Sequence, residues 1–313
     1  MTRVAVASRS FSKHPVLRAE MLSRYPETTF NDAGVSLAGD DLIAFIDGHE
    51  RAITALEKLD HAFFAALPDL QVISKYGVGH DMIDMAAMRE HGVKLGWTGG
   101  TNKRSVSELM ISATIALLRH VPAANQEVRD GQWRQIMGRY LSERTVGIVG
   151  CGHVGKDLAP LLRAFGCEVL AHDILDFPDF YATHGVEAVG LEDLLRRADV
   201  VTLHLPLDDG TRGILSAERL ALMRSDAILI NMARGGLVDE AALQAMLTDG
   251  RLSGAAFDVF DGEPPDNMEL LRLPNFLATP HIGGSAEEAV LAMGRAAIEG
   301  LDNARVPDAG WPR

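Results

Sequence analysis

Short apolar runs alternate with segments of helical spacing along the first third of this chain. The runs at residues 4–7, 42–46, 70–73 and 92–95 predict strands, and the spacing of apolar residues at 14–25, 53–59 and 82–91 predicts helices. Runs that are apolar throughout are typical of parallel strands covered on both faces. The alternation therefore predicts a parallel α/β layer.

A second series of the same kind follows residue 145. Strands are predicted at 145–149, 169–171, 199–203, 227–230, 253–257 and 276–278, with helices at 191–197, 216–223 and 239–248 between them. The Gly- and Thr-rich segment 96–102 predicts a hinge. We therefore expect one domain at 99–285, inserted in another made of 1–98 and 286–313.

Two short polar motifs predict where helices begin. Ser105-Val-Ser-Glu108 and Ser285-Ala-Glu-Glu288 both fit a capping box, in which the serine caps the helix and the glutamate reaches back. The helix predicted at 106–120 is apolar nearly all round and is therefore expected to be buried. The helix after Ser285 should run for about five turns and pack on the first domain.

A glycine turn follows the strand at 145–149. Gly150 would let the chain leave the strand, Gly152 would let a pyrophosphate approach the backbone, and Gly155 would let the helix pack closely. Asp173 lies 18 residues after Gly155, where an acid would bind the ribose hydroxyls. Because no Arg or Lys occurs at 174–179, NAD is favoured over NADP. The alternative is an ordinary glycine turn.

Composition narrows the function. The net charge of −13 argues against nucleic acid and anionic membranes as partners. Cys151 and Cys167 fit neither a metal motif nor a disulfide framework, so we expect no metal and a reducing, cytoplasmic setting. The N-terminal apolar run is too short for a signal peptide, and no run approaches the ~20 residues of a membrane span.

Polar residues follow successive strands of the second series. Arg234, Glu263 and His281 come after the strands at 227–230, 253–257 and 276–278. Because parallel strands present their carboxyl ends at one edge, these residues should meet. Histidine suits proton transfer to a developing alkoxide, a neighbouring carboxylate would orient it, and a guanidinium can grip a substrate carboxylate. This combination predicts a site for a 2-oxo or 2-hydroxy acid.

Less specific interpretations compete at each position. His281 could cap a helix, Glu263 could be a turn residue, and Arg234 could be a surface cation. Asp258 could simply end a strand, and Lys75 could either face an anionic substrate or be solvated. The convergence of the first three residues favours the chemical interpretation.

Taken together, the motifs resemble the D-isomer-specific 2-hydroxyacid dehydrogenases, nearest the phosphoglycerate dehydrogenase-like branch. The motifs that carry the resemblance are the glycine turn with Asp173 and the segments 75–84, 105–108, 204–206, 231–240, 258–264 and 279–284. The resemblance implies two doubly wound parallel-sheet domains, with a Rossmann NAD-binding domain inserted in a flavodoxin-like substrate domain. It also implies a homodimer formed through the inserted domain.

Residue roles follow from the same resemblance. His281 matches the acid/base, Glu263 its carboxylate partner, and Arg234 the residue that binds the substrate carboxylate and carbonyl. The implied cofactor-binding residues are Val78, Gly150, Gly152, His153, Val154, Gly155, Asp173, His204, Leu205, Pro206, Thr211, Met232, Ala233, Arg234, Asp258, His281 and Gly283. The implied substrate-binding residues are Lys75, Gly77, Val78, Gly79, Arg234 and His281.

Departures from the family pattern leave the substrate open. Met82 stands where the family often has Asn, and segment 48–51 lacks a proline often found there. Glu263 argues against formate as substrate, because formate dehydrogenases of this family carry Gln. Glyoxylate, hydroxypyruvate, a phosphorylated 2-oxo acid or an inorganic oxyanion remain open. The alternative function is that of a non-catalytic, NADH-sensing binding protein of the same fold.

Overall fold

The chain folds into two compact units. The computed structural model describes residues 2–308 and 311. One unit comprises Met1–Asn102 with Ser285–Arg313, and the other comprises Lys103–Gly284. In the chain, the second unit interrupts the first. That the first unit binds the substrate remains a prediction.

The first unit is built around a five-stranded parallel sheet. Its strands are β1 (Val4–Val6), β2 (Thr28–Phe30), β3 (Arg51–Thr54), β4 (Val72–Lys75) and β5 (Lys94–Gly96), in the order β2-β1-β3-β4-β5. Its helices are α1 (Arg9–Lys13), α2 (Pro15–Arg24), α3 (Gly39–Ile46), α4 (His61–Ala66), α5 (Met85–Glu90) and α14 (Glu287–Gly300). This strand order is the flavodoxin-like one and confirms the predicted class.

Two of the predicted elements in this unit are wrong. Residues 42–46 form the end of helix α3 rather than a strand, because the buried side chains Leu42 and Ile46 are four residues apart. Residues 53–59 do not form a helix, because Ile53 and Thr54 belong to β3. A five-residue apolar run fits either structure, and only its neighbours in the sheet decide between them.

The second unit is built around a seven-stranded parallel sheet. Its strands are β6 (Thr145–Val149), β7 (Glu168–His172), β8 (Val186–Ala188), β9 (Val200–Leu203), β10 (Ile228–Asn231), β11 (Gly254–Phe257) and β12 (Phe276–Ala278), in the order β12-β11-β10-β9-β6-β7-β8. Its helices are α6 (Lys103–Leu118), α7 (Val121–Arg129), α8 (His153–Ala164), α9 (Pro178–His184), α10 (Leu191–Arg197), α11 (Ala217–Leu220), α12 (Glu240–Thr248) and α13 (Met268–Leu271). The order is that of a Rossmann sheet with one further strand, and the strand order reverses between β6 and β9.

Both predicted capping boxes are wrong, although a helix follows each. Helix α6 begins at Lys103, so Ser105 lies inside its first turn, and its hydroxyl donates to the carbonyl of Gly283 at 2.6 Å. Helix α14 begins at Glu287 after the N-cap residue Ala286, and it spans 14 residues, which is about four turns. It packs on α2, β4 and β5 of the first unit, as predicted.

Each sheet has apolar clusters on both faces. In β1, Val4 and Val6 belong to one cluster while Ala5 belongs to another, because alternate residues of a strand point to opposite faces. Helices covering both faces explain why the strands are apolar throughout. Among the described residues, no helix is both long and apolar enough to cross a bilayer.

Candidate active site

The glycine turn has the geometry that a dinucleotide requires. Gly150 has a φ of +97°, and a Cβ there would lie 2.6 Å from the carbonyl oxygen of His204. A Cβ at Gly155 would lie 2.5 Å from the carbonyl oxygen of Gly150, so this glycine lets α8 pack against the strand. A Cβ at Gly152 would meet nothing within 4 Å. The open side of the turn is therefore at Gly152, where α8 begins.

Residues His153 and Val154 open helix α8 directly after this turn. The amide groups of a helix N-terminus favour phosphate oxygens, which fits the expected pyrophosphate position. Burial lowers the pKa of His153, and the neighbouring charges of Lys103 and Lys156 lower it further. The imidazole is therefore neutral at neutral pH, and it can contribute a hydrogen bond to an anion there.

Asp173 follows the last residue of β7 and connects that strand to the glycine turn. Its carboxylate accepts hydrogen bonds from the amide of Cys151 at 2.6 Å and the amide of Leu175 at 2.8 Å. These bonds hold the acid beside the turn, and its recognition of the ribose stays a prediction. Cys151 is fully buried, and burial raises the pKa of its thiol to about 11, so the thiol stays protonated.

The segment after β9 lies against the same turn. His204 and Leu205 both come close to Gly150, and their contact with the cofactor stays a prediction. The Nε2 atom of His204 lies 3.0 Å from the hydroxyl of Thr202, and its buried Nδ1 atom has no hydrogen-bond partner within the described chain. Burial lowers the pKa of His204 to about 3, so this ring is neutral and does not serve as a proton donor.

Thr211, a predicted cofactor-binding residue, has a structural role within its own loop. Its hydroxyl donates to the carbonyl of Pro206 at 2.7 Å and accepts from the amide of Asp208 at 2.9 Å. These bonds close the turn that carries Pro206. The structure thus places Pro206 and Thr211 together, and the hydroxyl shapes the loop.

Arg234 lies in a tight loop after β10. The buried side chain of Asn231 holds this loop, because it donates to the carbonyl of Arg234 at 2.8 Å and accepts from the amide of Ala233 at 3.1 Å. Met232 and Ala233 are buried between these residues. A Cβ at Gly235 would lie 1.9 Å from the carbonyl carbon of Phe260. The Arg234 loop therefore touches the loop that carries Glu263.

His281 and Glu263 form a direct pair. The Nδ1 atom of His281 lies 2.8 Å from Oε2 of Glu263, and both side chains are about 39% exposed. The second carboxylate oxygen of Glu263 accepts from the amide of Phe260 at 3.2 Å. The ring is thus held through Nδ1, which leaves Nε2 to face a reactant. A cavity of about 400 Å³ adjoins the pair, lined by Asp258, Phe260, Glu263, Pro264, Pro265, Leu271, Ala278, Thr279, Pro280 and His281.

The backbone of His281 is in the left-handed region, with a φ of +53°. The fully buried carboxylate of Asp258 holds this loop, because it accepts from the hydroxyl of Thr279 at 2.5 Å and from the amides of Ile282 and Gly283 at 2.8 and 2.7 Å. The resemblance places Asp258 near the nicotinamide. Within the described chain its carboxylate is hydrogen-bonded to the loop of His281, which it therefore shapes.

The remaining predicted substrate residues belong to the first unit. Lys75 ends β4 and is buried, and its ammonium group contacts the carbonyl of Ala55. Gly77 follows with a φ of +117°, and a Cβ there would lie 3.7 Å from that ammonium group. Val78 and Gly79 continue the loop and are half-buried. The structure brings these four residues together at the carboxyl edge of the first sheet.

Sequence reasoning missed several residues that shape the site. Asn231 belongs to a recognised motif but received no role, and Thr279 and Ser105 hold the His281 loop through Asp258 and Gly283. A hydroxyl or amide close to a catalytic segment gives no distinctive pattern in the sequence. Only the fold reveals which backbone group each of them bonds.

The second unit matches a known family. The family described as D-isomer specific 2-hydroxyacid dehydrogenase, NAD binding domain, matches residues 111–283. This match and the fit of the glycine turn to a pyrophosphate confirm the expected cofactor, NAD. The residues that would hold it are those of the glycine turn, Asp173 and the segment around His204.

Two curated relatives and one solved structure are similar over most of the chain. A D-3-phosphoglycerate dehydrogenase from Methanocaldococcus jannaschii is 39% identical over 233 residues, which are 74% of this chain and 44% of the relative. A hydroxypyruvate reductase from Thermotoga maritima is 36% identical over 240 residues, covering 74% of this chain and 76% of the relative. The crystal structure of a glyoxylate reductase from Paecilomyes thermophila superposes with a TM-score of 0.86 at 25% identity, covering 96% of this chain and 95% of that one.

The lengths of these relatives differ from that of the present chain. The present chain covers 44%, 55% and 46% of the lengths of three D-3-phosphoglycerate dehydrogenases that it matches, which is about half of each. The hydroxypyruvate reductase is covered to 76%.

Proposed function

Because this chain belongs to the D-isomer-specific 2-hydroxyacid dehydrogenase family, we propose that it transfers a hydride between NAD(H) and C2 of a small 2-hydroxy or 2-oxo acid. The observation that carries the proposal is the 2.8 Å contact between His281 Nδ1 and Glu263 Oε2. It fixes the orientation of an imidazole on the Rossmann unit. Such a pair suits an acid/base that donates a proton to a developing alkoxide.

Each residue of the site has a defined task in this reaction. The nicotinamide, when bound, supplies or accepts the hydride. Arg234 binds the substrate carboxylate and polarises the carbonyl, because a guanidinium can donate two parallel hydrogen bonds. His281 gives its Nε2 proton to the oxygen at C2 in reduction and takes it back in oxidation. Glu263 stabilises the imidazolium form and holds Nδ1.

The substrate class rests on both the relatives and the first unit. The curated relatives act on phosphoglycerate and hydroxypyruvate by name, and the solved structure is of a glyoxylate reductase. All three names describe short 2-hydroxy or 2-oxo acids. The Gly77–Gly79 loop with Lys75 would bind the carboxylate of such an acid, since its amides and one ammonium lie at a sheet edge.

The test is NADH oxidation at 340 nm against glyoxylate, hydroxypyruvate, phosphohydroxypyruvate, pyruvate and 2-oxoglutarate, with His281→Asn as the variant. Asparagine is chosen because it tolerates the left-handed backbone of residue 281 better than alanine does. We expect kcat to fall by about 10²–10⁴-fold, the contribution typical of an acid/base, with NADH affinity retained.

The matched control is His120→Asn. His120 is also in the left-handed region, with a φ of +54°, and it is exposed in the same unit. Its replacement should leave turnover unchanged. Near-normal turnover in His281→Asn would overturn the acid/base role. Tight NADH binding without turnover of any acid in the panel would contradict the proposed activity and favour an NADH-sensing protein.

We also propose that the protein is a homodimer formed through the second unit and that it works in the cytoplasm. Exposed large apolar residues are concentrated in segment 121–140 of that unit and support a partner there: Val121, Val128, Trp133, Met137 and Tyr140. Cys151 and Cys167 are free, buried thiols, which supports a reducing compartment.

A further inference from the structure

A tryptophan supports the loop that the proposed function assigns to the substrate carboxylate. Trp97 directly follows β5 at the carboxyl edge of the first sheet. Its indole Nε1 donates to the carbonyl of Val78 at 2.8 Å. Val78 lies at the centre of the Gly77–Gly79 loop, which follows the neighbouring strand β4. This bond therefore joins the end of β5 to the backbone of the loop after β4.

A second tryptophan packs behind the first. The ring centroids of Trp97 and Trp311 are 6.0 Å apart, and the rings meet edge to face at 76°. The guanidinium carbon of Arg305 lies 3.9 Å from the Trp311 centroid. The backbone of Arg305 pairs with Leu95 of β5 through two hydrogen bonds of 2.8 and 3.1 Å. Residues near the end of the chain thus form a backing for Trp97.

The loop itself has little regular structure to fix it. Residues 76–80 are bends and coil between β4 and the turn that precedes α5. Gly77 has a φ of +117°, which only glycine adopts readily. The ring of His80 also contacts Trp97, with centroids 5.6 Å apart. Backbone hydrogen bonds hold the ends of this segment, from the Tyr76 amide to the Thr54 carbonyl at 2.8 Å and from the Ile83 amide to the His80 carbonyl at 3.0 Å. Between these ends Trp97 contacts Val78 at the centre of the loop and His80 directly after it.

We propose that Trp97, backed by Trp311 and Arg305, is a positioning residue that holds the Gly77–Gly79 loop in the form that binds substrate. This inference rests on the proposed function for the identity of the ligand. The simpler interpretation is that both tryptophans only fill space, since both pack against the apolar cluster on one face of the sheet. A filling role predicts a loss of stability alone, whereas a positioning role predicts a selective loss of substrate affinity.

The deciding variant is Trp97→Phe, which keeps an aromatic ring but removes the N–H donor. Loss of one such bond corresponds to about a tenfold change in an equilibrium constant. We expect the KM for the best 2-oxo acid to rise about tenfold, kcat to change less than about threefold, and NADH affinity to stay unchanged. Trp311→Ala, which removes the ring that packs against Trp97, should also raise KM.

A matched control removes a comparable bond elsewhere in the same unit. The hydroxyl of Thr28 donates to the carbonyl of Tyr25 at 2.7 Å, at the amino end of β2 and therefore at the opposite edge of the sheet. Thr28→Val should lower thermal stability without raising the substrate KM. Equal rises of KM in Thr28→Val and Trp97→Phe would overturn the positioning role.

Hydrogen–deuterium exchange separates this inference from the proposed function, because it needs no turnover. Peptides covering 76–82 should exchange at least about threefold faster in Trp97→Phe than in the unaltered protein or Thr28→Val, because an unsupported loop opens more often. Unchanged exchange there would overturn the inference even if the enzyme is active. Faster exchange with an unchanged KM would show that this loop does not bind the substrate.

Discussion

His281 shows how much of this site depends on its support. A non-glycine residue in the left-handed region costs roughly 1–2 kcal/mol. The amide of His281 donates to the carbonyls of Asp258 and Thr279 at 2.9 and 3.1 Å, and the buried Asp258 carboxylate accepts three more bonds from the same loop. This network offsets the backbone strain, so the imidazole meets Glu263 at a fixed angle.

Asp173 gives a prediction at the scale of a single residue. Its negative charge would favour the ribose hydroxyls of NADH and repel the 2′-phosphate of NADPH. We expect Asp173→Ala to shift the ratio of the two affinities about tenfold towards NADPH, as measured by fluorescence titration of both cofactors. The shift arises because binding of NADPH loses an unfavourable charge interaction.

The ratio of the affinities for NADPH and NADH is more informative than either affinity alone, because Asp173 also bonds the amide of Cys151. Asp173→Ala also removes the 2.6 Å hydrogen bond to that amide, and this loss should lower the affinities for NADH and NADPH by the same factor. Asp176→Ala is the control, since Asp176 is an exposed acid three residues further along. An unchanged ratio in Asp173→Ala would count against charge discrimination at this position.

Among the elements, the turn from β6 to α8 depends most directly on glycine. Gly155 and Gly152 are three residues apart, yet they have different surroundings. A Cβ at residue 155 would press on the backbone of Gly150 and the side chain of Ile148, whereas a Cβ at residue 152 would enter open space. The first glycine therefore serves packing, and the second leaves room for a ligand.

This difference predicts opposite outcomes for the same substitution. Gly155→Ala should lower the free energy of unfolding by about 1–3 kcal/mol, because backbone must shift. Gly152→Ala should change that free energy by no more than about 0.5 kcal/mol. It should lower the affinity for NADH at least about tenfold, because the added methyl group would occupy the space proposed for the pyrophosphate. Urea unfolding and NADH titration test the pair. A stable Gly152→Ala protein with normal NADH affinity would contradict the assigned pyrophosphate position.

Helices α3, α6 and α14 differ from what their local sequence patterns predict. Leu42 and Ile46 are spaced as a helix requires, but the run between them is apolar enough to predict a strand. Ser105 and Ser285 occupy plausible capping positions, yet the helices begin at Lys103 and Glu287. Boundaries depend on which backbone groups find partners elsewhere in the fold, and sequence spacing does not contain that information.

For the molecule as a whole, the proposed dimer concerns the exposed apolar residues of the second unit. Trp133 is 87% exposed and Met137 is 93% exposed, although both are large apolar side chains. Such exposure in one segment is typical of an interaction surface. A homodimer would remove these side chains from water and bring them against the same unit of another copy.

The corresponding prediction concerns oligomeric state. Light scattering after size exclusion should give twice the chain mass of 33.8 kDa. The double variant Trp133→Asp, Met137→Asp should raise the dimer dissociation constant at least about 30-fold, since an interface hot spot contributes about 2 kcal/mol or more. Val35→Asp, at an exposed apolar residue of the first unit, is the control. A monomer in the unaltered protein would overturn the proposal.

The amino-acid pattern alone predicts the two parallel α/β layers, the glycine turn between β6 and α8, and the positions of Arg234, Glu263 and His281 after successive strands. Each of these features appears within a short stretch of sequence, as an apolar run, a glycine spacing or a polar residue after a strand. A local pattern is therefore enough to predict it. Folding, in contrast, establishes that residues 42–46 are helical, that Asp258 and Ser105 hold the His281 loop, and that Trp97 supports Val78. Each of these depends on a partner distant in sequence, or on which face of an element is buried, and such pairings exist only once the chain has folded.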